Sequence, residues 1–313
     1  MINNKIIRRC LILFLLLFGI TSVHLFAAVP DTLRLLVIGN SFSDNATQYL
    51  SKFAQERRHH LIIGRAELGG CSLKRHWGLV ELAEKNPNDP KAKPYNNKSL
   101  KMILTEEKWD VVTLQQNSMN SGYVESYIPY AFELYQFIKT LQPEARVVLH
   151  QTWSYRSDSK DFSLITENDS AKTHNEMWEK SREAYHHVAR MLNVKIIPVG
   201  DAFHKVSVDK KWAYKVDEKY EFSTSKYPQL PDQTHSLHRG YYWDKNEKLI
   251  FDSHHANEAG CYLGGLVWFS FLFDESPTKI KFVPDEIPVT FARYLKQVAK
   301  SVMKVENQQQ LIH

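Results

Sequence analysis

The sequence predicts an α/β fold, a three-layer α/β/α sandwich on a five-stranded parallel sheet in the flavodoxin-like order 2-1-3-4-5. Three observations predict it. Five short runs of aliphatic and β-branched residues recur along the chain. Longer amphipathic patterns separate them. Each run is apolar at consecutive positions, as a strand covered on both faces must be.

The first run, Arg34-Leu35-Leu36-Val37-Ile38, ends in Gly39-Asn40-Ser41. The second, Leu61-Ile62-Ile63, leads towards Gly69-Gly70. Asp110-Val111-Val112-Thr113-Leu114 ends at Gln115-Gln116-Asn117, and Arg146-Val147-Val148-Leu149-His150 runs into Gln151-Thr152-Trp153. The fifth, Val194-Lys195-Ile196-Ile197-Pro198-Val199, stops at Gly200-Asp201. Helical patterns are expected at about 44–58, 124–141, 174–192, 256–273 and 288–304. In the second of these, Tyr127, Tyr130, Ala131, Leu134 and Ile138 form one apolar stripe.

Two stretches break the rhythm. Lys91 to Leu104 is polar and reads as a surface excursion ending in a short helix. Residues 203–249 form a long insertion rich in Tyr, Trp, Lys and Asp, with Pro228 and Pro231 inside it. Its aromatics (Trp212, Tyr214, Tyr220, Tyr241, Tyr242 and Trp243) favour an ordered flap over disorder.

At 313 residues, 43% hydrophobic and 24% charged, the chain is long and apolar enough to bury a full core. Disorder, collagen-like sequence and a disulfide-dense miniprotein are excluded. Residues 1–28 read as a secretory signal peptide. Lys5, Arg8 and Arg9 precede an apolar run from Leu11 to Ile20 that weakens towards Phe26, and Ala27 and Ala28 follow. Thr21, Ser22 and His24 leave the run short of the roughly 18–20 apolar residues of a spanning helix. The expectation is an exported protein, periplasmic or extracellular, with 29–313 as a single domain and no membrane segment after cleavage. Without those three basic residues the net charge falls from +5 to +2, which gives no electrostatic case for a nucleic-acid partner.

In an open parallel sheet, ligands bind beyond the carboxyl ends of the strands, where the strand order reverses. Ser41, Gly70 and Asn117 all fall at such ends, and Asp252-Ser253-His254-His255 stands just before the helical run near Ala256. A serine hydroxyl becomes a nucleophile when an imidazole takes its proton. That imidazole needs a carboxylate on its other nitrogen, and Asp252, three residues before His255 in a tight turn, supplies one. The oxyanion needs donors. The N–H of Ser41, the N–H of Gly70, where a missing side chain allows close approach, and the Asn117 amide are suitable. Singly, each group also reads as a turn or a helix cap. Together, in this order, they point to a serine hydrolase.

These residues resemble the SGNH hydrolases, also called the GDSL lipase/esterase superfamily. Gly39-Asn40-Ser41-Phe42-Ser43 is similar to the family's Gly-Asp-Ser-Leu block, and Gly70 to the glycine of its second block. Asn117 matches the asparagine of Gly-x-Asn-Asp, and Asp252 with His255 the final Asp-x-x-His. The resemblance spans about residues 33–272 and implies an α/β/α sandwich that hydrolyses esters through a serine acyl-enzyme, without cofactor or metal. It assigns Ser41, Asp252 and His255 as catalytic and Ser41, Gly70 and Asn117 as oxyanion donors. Asn40 stands for the usual Asp, Gln115 for Gly and Ser118 for Asp, so the chain is similar to a divergent bacterial branch, often exported. The α/β-hydrolase elbow Gly-x-Ser-x-Gly is absent, since Ser43 stands at its last glycine.

Further candidates keep two readings. Gln116 and Gln151, at strand ends, either bind substrate or satisfy loop backbone. Trp153 and Tyr155 either contact a sugar or acyl group or pack beneath the loop, and His76 and Trp77 carry the same ambiguity. Register with Asp252 favours His255 over His254 as the base. Cys71 and Cys261 either lie close enough to cross-link or are buried free thiols. The neighbouring pairs His59-His60, His186-His187 and His254-His255 lack ligand spacing, and with no Cys-x-x-Cys a metal site is not expected. The expected activity is hydrolysis of short, acetyl-like esters, with an acylated carbohydrate or another small ester as substrate. The alternatives are a non-catalytic carbohydrate-binding protein on the same scaffold and a lipid or thioester acylhydrolase. The polar character of 203–249 argues against an apolar lipase lid.

Overall fold

The computed structural model describes residues 32–309, so the expected signal peptide at 1–28 lies outside the described residues. Strand β1 (Thr32–Gly39) shows why the sheet forms where the sequence places it. Leu35 and Val37 enter one core and Leu36 and Ile38 another, and all four are excluded from solvent. Each such side chain contributes about 1.5–3 kcal/mol of burial, and a strand that feeds two cores has no polar face to spare. Strands β2 (His60–Glu67), β3 (Val111–Leu114), β4 (Arg146–His150) and β5 (Lys195–Ile197) complete a parallel sheet in the order β2-β1-β3-β4-β5. This is the α/β topology the sequence predicts.

One core lies between the sheet and helices α1 (Ser41–Thr47), α2 (Leu50–Glu56), α7 (Val199–Ser207), α8 (Glu258–Phe273) and α9 (Val289–Gln309). The other lies under α3 (Leu73–Lys85), α4 (Leu100–Glu106), α5 (Tyr130–Leu141) and α6 (His174–Leu192). Helix α8 is buried at every position from Ala259 to Ser270, so it is apolar all round. It meets α1 at Gly264, where a Cβ would stand 2.9 Å from the Ala46 Cα.

Several element boundaries differ from expectation. The stretch 44–58 is two helices, the first pulled forward to Ser41 by its cap at Asn40. Strand β5 stops at Ile197, because Pro198 has no N–H for the ladder and a φ suited to opening α7. Within 124–141, Pro129 separates a 3₁₀ turn (Val124–Tyr127) from α5. Helix α3 lies outside the helical patterns the sequence shows. Its buried positions, Leu73, His76, Val80 and Ala83, make too thin a stripe to be legible.

The insertion is irregular over 208–237 apart from a 3₁₀ turn at Phe222–Thr224. It then forms an antiparallel hairpin, β6 (His238–Trp243) and β7 (Leu249–Ala256). Among the described residues no helix is long and apolar enough to cross a membrane. The carboxyl ends of the central strands are level. Gly39 pairs with Glu67, Ile38 with Leu114 and Leu114 with Leu149. The strand order reverses between β1 and β3, so the loops after Gly39 and Leu114 flank the crevice that ligands of such sheets occupy.

Candidate active site

The chain leaves β1 through a sharp strand-to-helix turn. Asn40 is extended (φ −149°), and its Oδ1 accepts the Phe42 N–H at 3.0 Å. The Ser43 hydroxyl accepts the Asn40 N–H in return, closing a capping box. Gly39 has no room for a side chain, since a Cβ would lie 2.5 Å from Ser43 Oγ. Ser41 is thus the first residue of α1, held half-exposed on the rim by a cap worth about 1 kcal/mol.

Asp252 and His255 approach from the hairpin. The sequence suggests a tight turn before a helix, but the structure places both on β7, and α8 begins only at Glu258. What brings them together is a bulge. His238 pairs with Ala256 and Gly240 with Asp252, so three residues, Ser253 to His255, face the single Arg239. The slack lets Asp252 Oδ1 accept the N–H groups of both His254 (3.2 Å) and His255 (3.0 Å). His255 Nδ1 lies 2.8 Å from Asp252 Oδ2, and its Nε2 lies 2.9 Å from Ser41 Oγ. Burial pushes the Asp252 carboxyl up, but the hydrogen bonds from the His255 ring and N–H outweigh it and hold the pKa well below the carboxylate range. His254, its side chain 42% exposed, holds Nδ1 3.3 Å from Asp252 Oδ1, and its carbonyl accepts Trp153 Nε1–H at 2.9 Å.

Gly70 and Asn117 meet at the same rim, where Asn117 Nδ2 donates to the Gly70 carbonyl at 3.3 Å. Gly70 has φ +61° in a turn closed by Cys71 N–H to Leu68 O. A Cβ there would meet nothing within 4 Å, so the glycine is required by its backbone conformation and not by crowding. Asn40 joins this turn to the Ser41 turn, because its Nδ2 donates to the Cys71 carbonyl at 3.0 Å.

The four candidate substrate-binding side chains lie inside the protein. Gln116 is buried, accepting from the N–H groups of Leu73 and Asn117 and donating to the Ser126 carbonyl. Gln151 is buried and exchanges two hydrogen bonds with Asp201. Trp153 is stacked between Phe42 and Phe203, and Tyr155 shares a hydrogen bond with Ser118. A strand-end position marks the rim, but not which way the side chain turns. His76 is also interior, its Nε2 donating to the Gly39 carbonyl while Nδ1 accepts from Tyr95, and Trp77 packs edge-on against Phe137. Cys71 and Cys261 are free and buried, and burial pushes their thiols up to about 11 and about 12.

Sequence reasoning missed Arg156, which is buried and braces the hairpin. Its guanidinium is bidentate to Asp158, donates to Gln233 and lies over the rings of Tyr214, Phe251 and Tyr241. Its backbone N–H donates to the Ser253 carbonyl at 2.8 Å. A lone arginine beyond a strand carries no pattern from which this could be read.

Among the described residues, Asp252 with His254 and His255, and His186 with Asp201 and Glu306, bring metal-donor atoms within 4.8 Å. The atoms of the first set are engaged with one another and with Ser41, and Asp201 in the second holds Arg182, Gln151 and Trp178. A groove of about 1360 Å³ beside α6 and β5, lined by Tyr123, Lys180 and Arg190 among others, includes none of Ser41, Asp252 or His255. Geometry, not cavity size, marks the site.

No curated protein matches the sequence. Among solved structures, a DUF4886 family protein from Bacteroides uniformis is 23% identical over 88% of this chain and 95% of its own, with a TM-score of 0.64. That likeness shows the fold. A proposed SGNH hydrolase from Slackia heliotrinireducens (20% identical, 77% of this chain and 98% of its own) has a TM-score of 0.46. An acetyl xylan esterase (13% identical, 77% and 100%) has one of 0.45. Residues 34–224 match the model of the family described as domain of unknown function DUF4886, and the chain belongs to that family.

Proposed function

We propose that this chain is a serine esterase of the SGNH type that hydrolyses short acyl esters. One observation carries the reading. Ser41 Oγ lies 2.9 Å from His255 Nε2, while Nδ1 of the same ring lies 2.8 Å from Asp252 Oδ2. Ser41 Oγ attacks the ester carbonyl as its proton passes to His255 Nε2, and Asp252 stabilises the imidazolium. The carbonyl oxygen gains the negative charge, for which the N–H groups of Ser41 and Gly70 and the Asn117 amide are the donors. Collapse breaks the bond to the alcohol, which leaves with the proton from His255. Water then attacks the acyl-enzyme by the same exchange.

The substrate in this reading is an acetyl-like ester of a carbohydrate or a similar small alcohol. The polar, irregular 208–237 segment supports it, for that segment offers no apolar lid helix. The same proposal includes export, on the signal peptide expected at 1–28. Turnover of p-nitrophenyl acetate tests the chemistry. Ser41→Ala is expected to lower kcat at least about 10³-fold, and equal rates for the two proteins overturn the reading. Acyl release from acetylated and feruloylated glycans, followed by mass spectrometry, tests the substrate.

A further inference from the structure

The Asn40 side chain is one link of a longer chain of hydrogen bonds beneath the rim, and all its N–H groups point the same way. His150, the last residue of β4, donates from Nδ1 to Gln115 Oε1 at 3.0 Å. Gln115, just past β3, donates from Nε2 to Asn40 Oδ1 at 2.7 Å. Asn40, just past β1, donates from Nδ2 to the Cys71 carbonyl in the turn that holds Gly70. His150, Gln115 and Asn40 are each at most 1% exposed.

The direction is fixed at both ends. A carbonyl terminates the chain and accepts only. Asn40 Oδ1 already takes the Phe42 N–H, so flipping its amide would break three bonds. Burial pushes the His150 ring down to about 3, so it is neutral, and it is the Gln115 oxygen facing Nδ1 that puts the proton there and leaves the buried Nε2 without a partner. Head-to-tail bonds in a dry interior strengthen one another, and leaving any member unpaired is costly.

We propose that Gln115 and His150 are positioning residues that hold the Gly70 turn at its distance from Ser41 through Asn40. The inference rests on the esterase reading. It also gives two of the three departures from the SGNH blocks a joint reason. A glutamine at 115 extends into the space beside Gly39, where a Cβ would stand 3.0 Å from its Oε1, and there it donates to the asparagine at 40. An aspartate at 40 has no N–H for the Cys71 carbonyl, so Asn40 and Gln115 form a matched pair.

The test is steady-state turnover of p-nitrophenyl acetate by the wild type, Ser41→Ala, Gln115→Leu and Gln115→Glu. Gln115→Leu removes both bonds of the chain, and a 3.4 Å bond to the Gln116 carbonyl, at similar volume. Its kcat is expected to fall 10-fold or more with KM within twofold, since a shift of about 1 Å in a reacting group costs ~10². Gln115→Glu supplies the second readout. Only its protonated form donates to Asn40 Oδ1, so its kcat relative to wild type is expected to rise as pH falls from 8 to 5. A merely structural role would not produce that slope. If Gln115→Leu fails to fold, the slope alone decides, and a flat ratio overturns the proposal. A Gln115→Leu kcat within twofold of wild type also overturns it while leaving the esterase reading intact. Turnover that does not depend on Ser41 overturns both.

Discussion

Ala256, the residue after His255, donates its backbone N–H to Oδ1 of Asn45, four residues after Ser41, at 3.1 Å. One bond therefore ties the strand that carries His255 to the helix that carries Ser41. Asn45→Ala is expected to lower kcat about 10-fold with little change in KM, because a small loss of alignment is paid in the reacting step. Asn45→Asp keeps the acceptor and is expected to retain most activity. Steady-state kinetics on p-nitrophenyl acetate measures both.

Asp252 links activity to pH-dependent stability. Its folded-state pKa lies below the ordinary aspartate value of 3.8, so ionised Asp252 stabilises the fold above that value and the benefit fades as pH falls through the lower, folded one. The stability gap between wild type and Asp252→Asn is expected to be widest near neutrality and to narrow below pH ~4. Urea unfolding at pH 7 and pH 3 measures it. At pH 7 the same substitution is expected to reduce kcat by about 10⁴, because an amide there favours the wrong imidazole tautomer.

Gly70→Ala separates backbone strain from crowding. With φ at +61° and no neighbour for the added methyl, any cost comes from the left-handed backbone alone. A loss of about 1–2 kcal/mol in unfolding free energy is expected, accompanied by a fall in kcat as the turn relaxes.

The two buried cysteines are expected to resist a thiol reagent in the native protein at pH 8, since burial raises both thiols. After denaturation without reductant both are expected to titrate. Failure of Cys71 and Cys261 to react in the unfolded chain would reveal a disulfide between them.

The sheet and the turn that carries Ser41 were legible because both are local. Leu35 to Ile38 announce a doubly buried strand, and Gly39-Asn40-Ser41 follow it directly. Helix α6 was legible to the residue at both ends, from His174 to Leu192. The β6–β7 hairpin is not legible, although Tyr241 to Trp243 and Leu249 to Phe251 flank a polar turn, because a segment rich in Tyr and Lys reads equally as an irregular flap. The bulge follows from the hairpin, and its slack lets the rings of His254 and His255 both reach Asp252 while that of His255 meets Ser41. The inward aim of Gln116, Gln151, Trp153 and Tyr155 was equally hidden, since it depends on partners distant in sequence such as Leu73, Asp201 and Phe203.

Tyr241 and Phe251 are cross-strand partners, so they share one face of the hairpin, and Arg156 lies over that face while Asp252 points from the other. The Arg156 brace and the Asp252 carboxylate thus occupy opposite sides of the same two strands. Apart from Tyr214 and Gln233, the contacts of Arg156 lie outside 208–237. Changes elsewhere in that segment therefore leave the guanidinium's clamp on Asp158, Tyr241 and Phe251 in place.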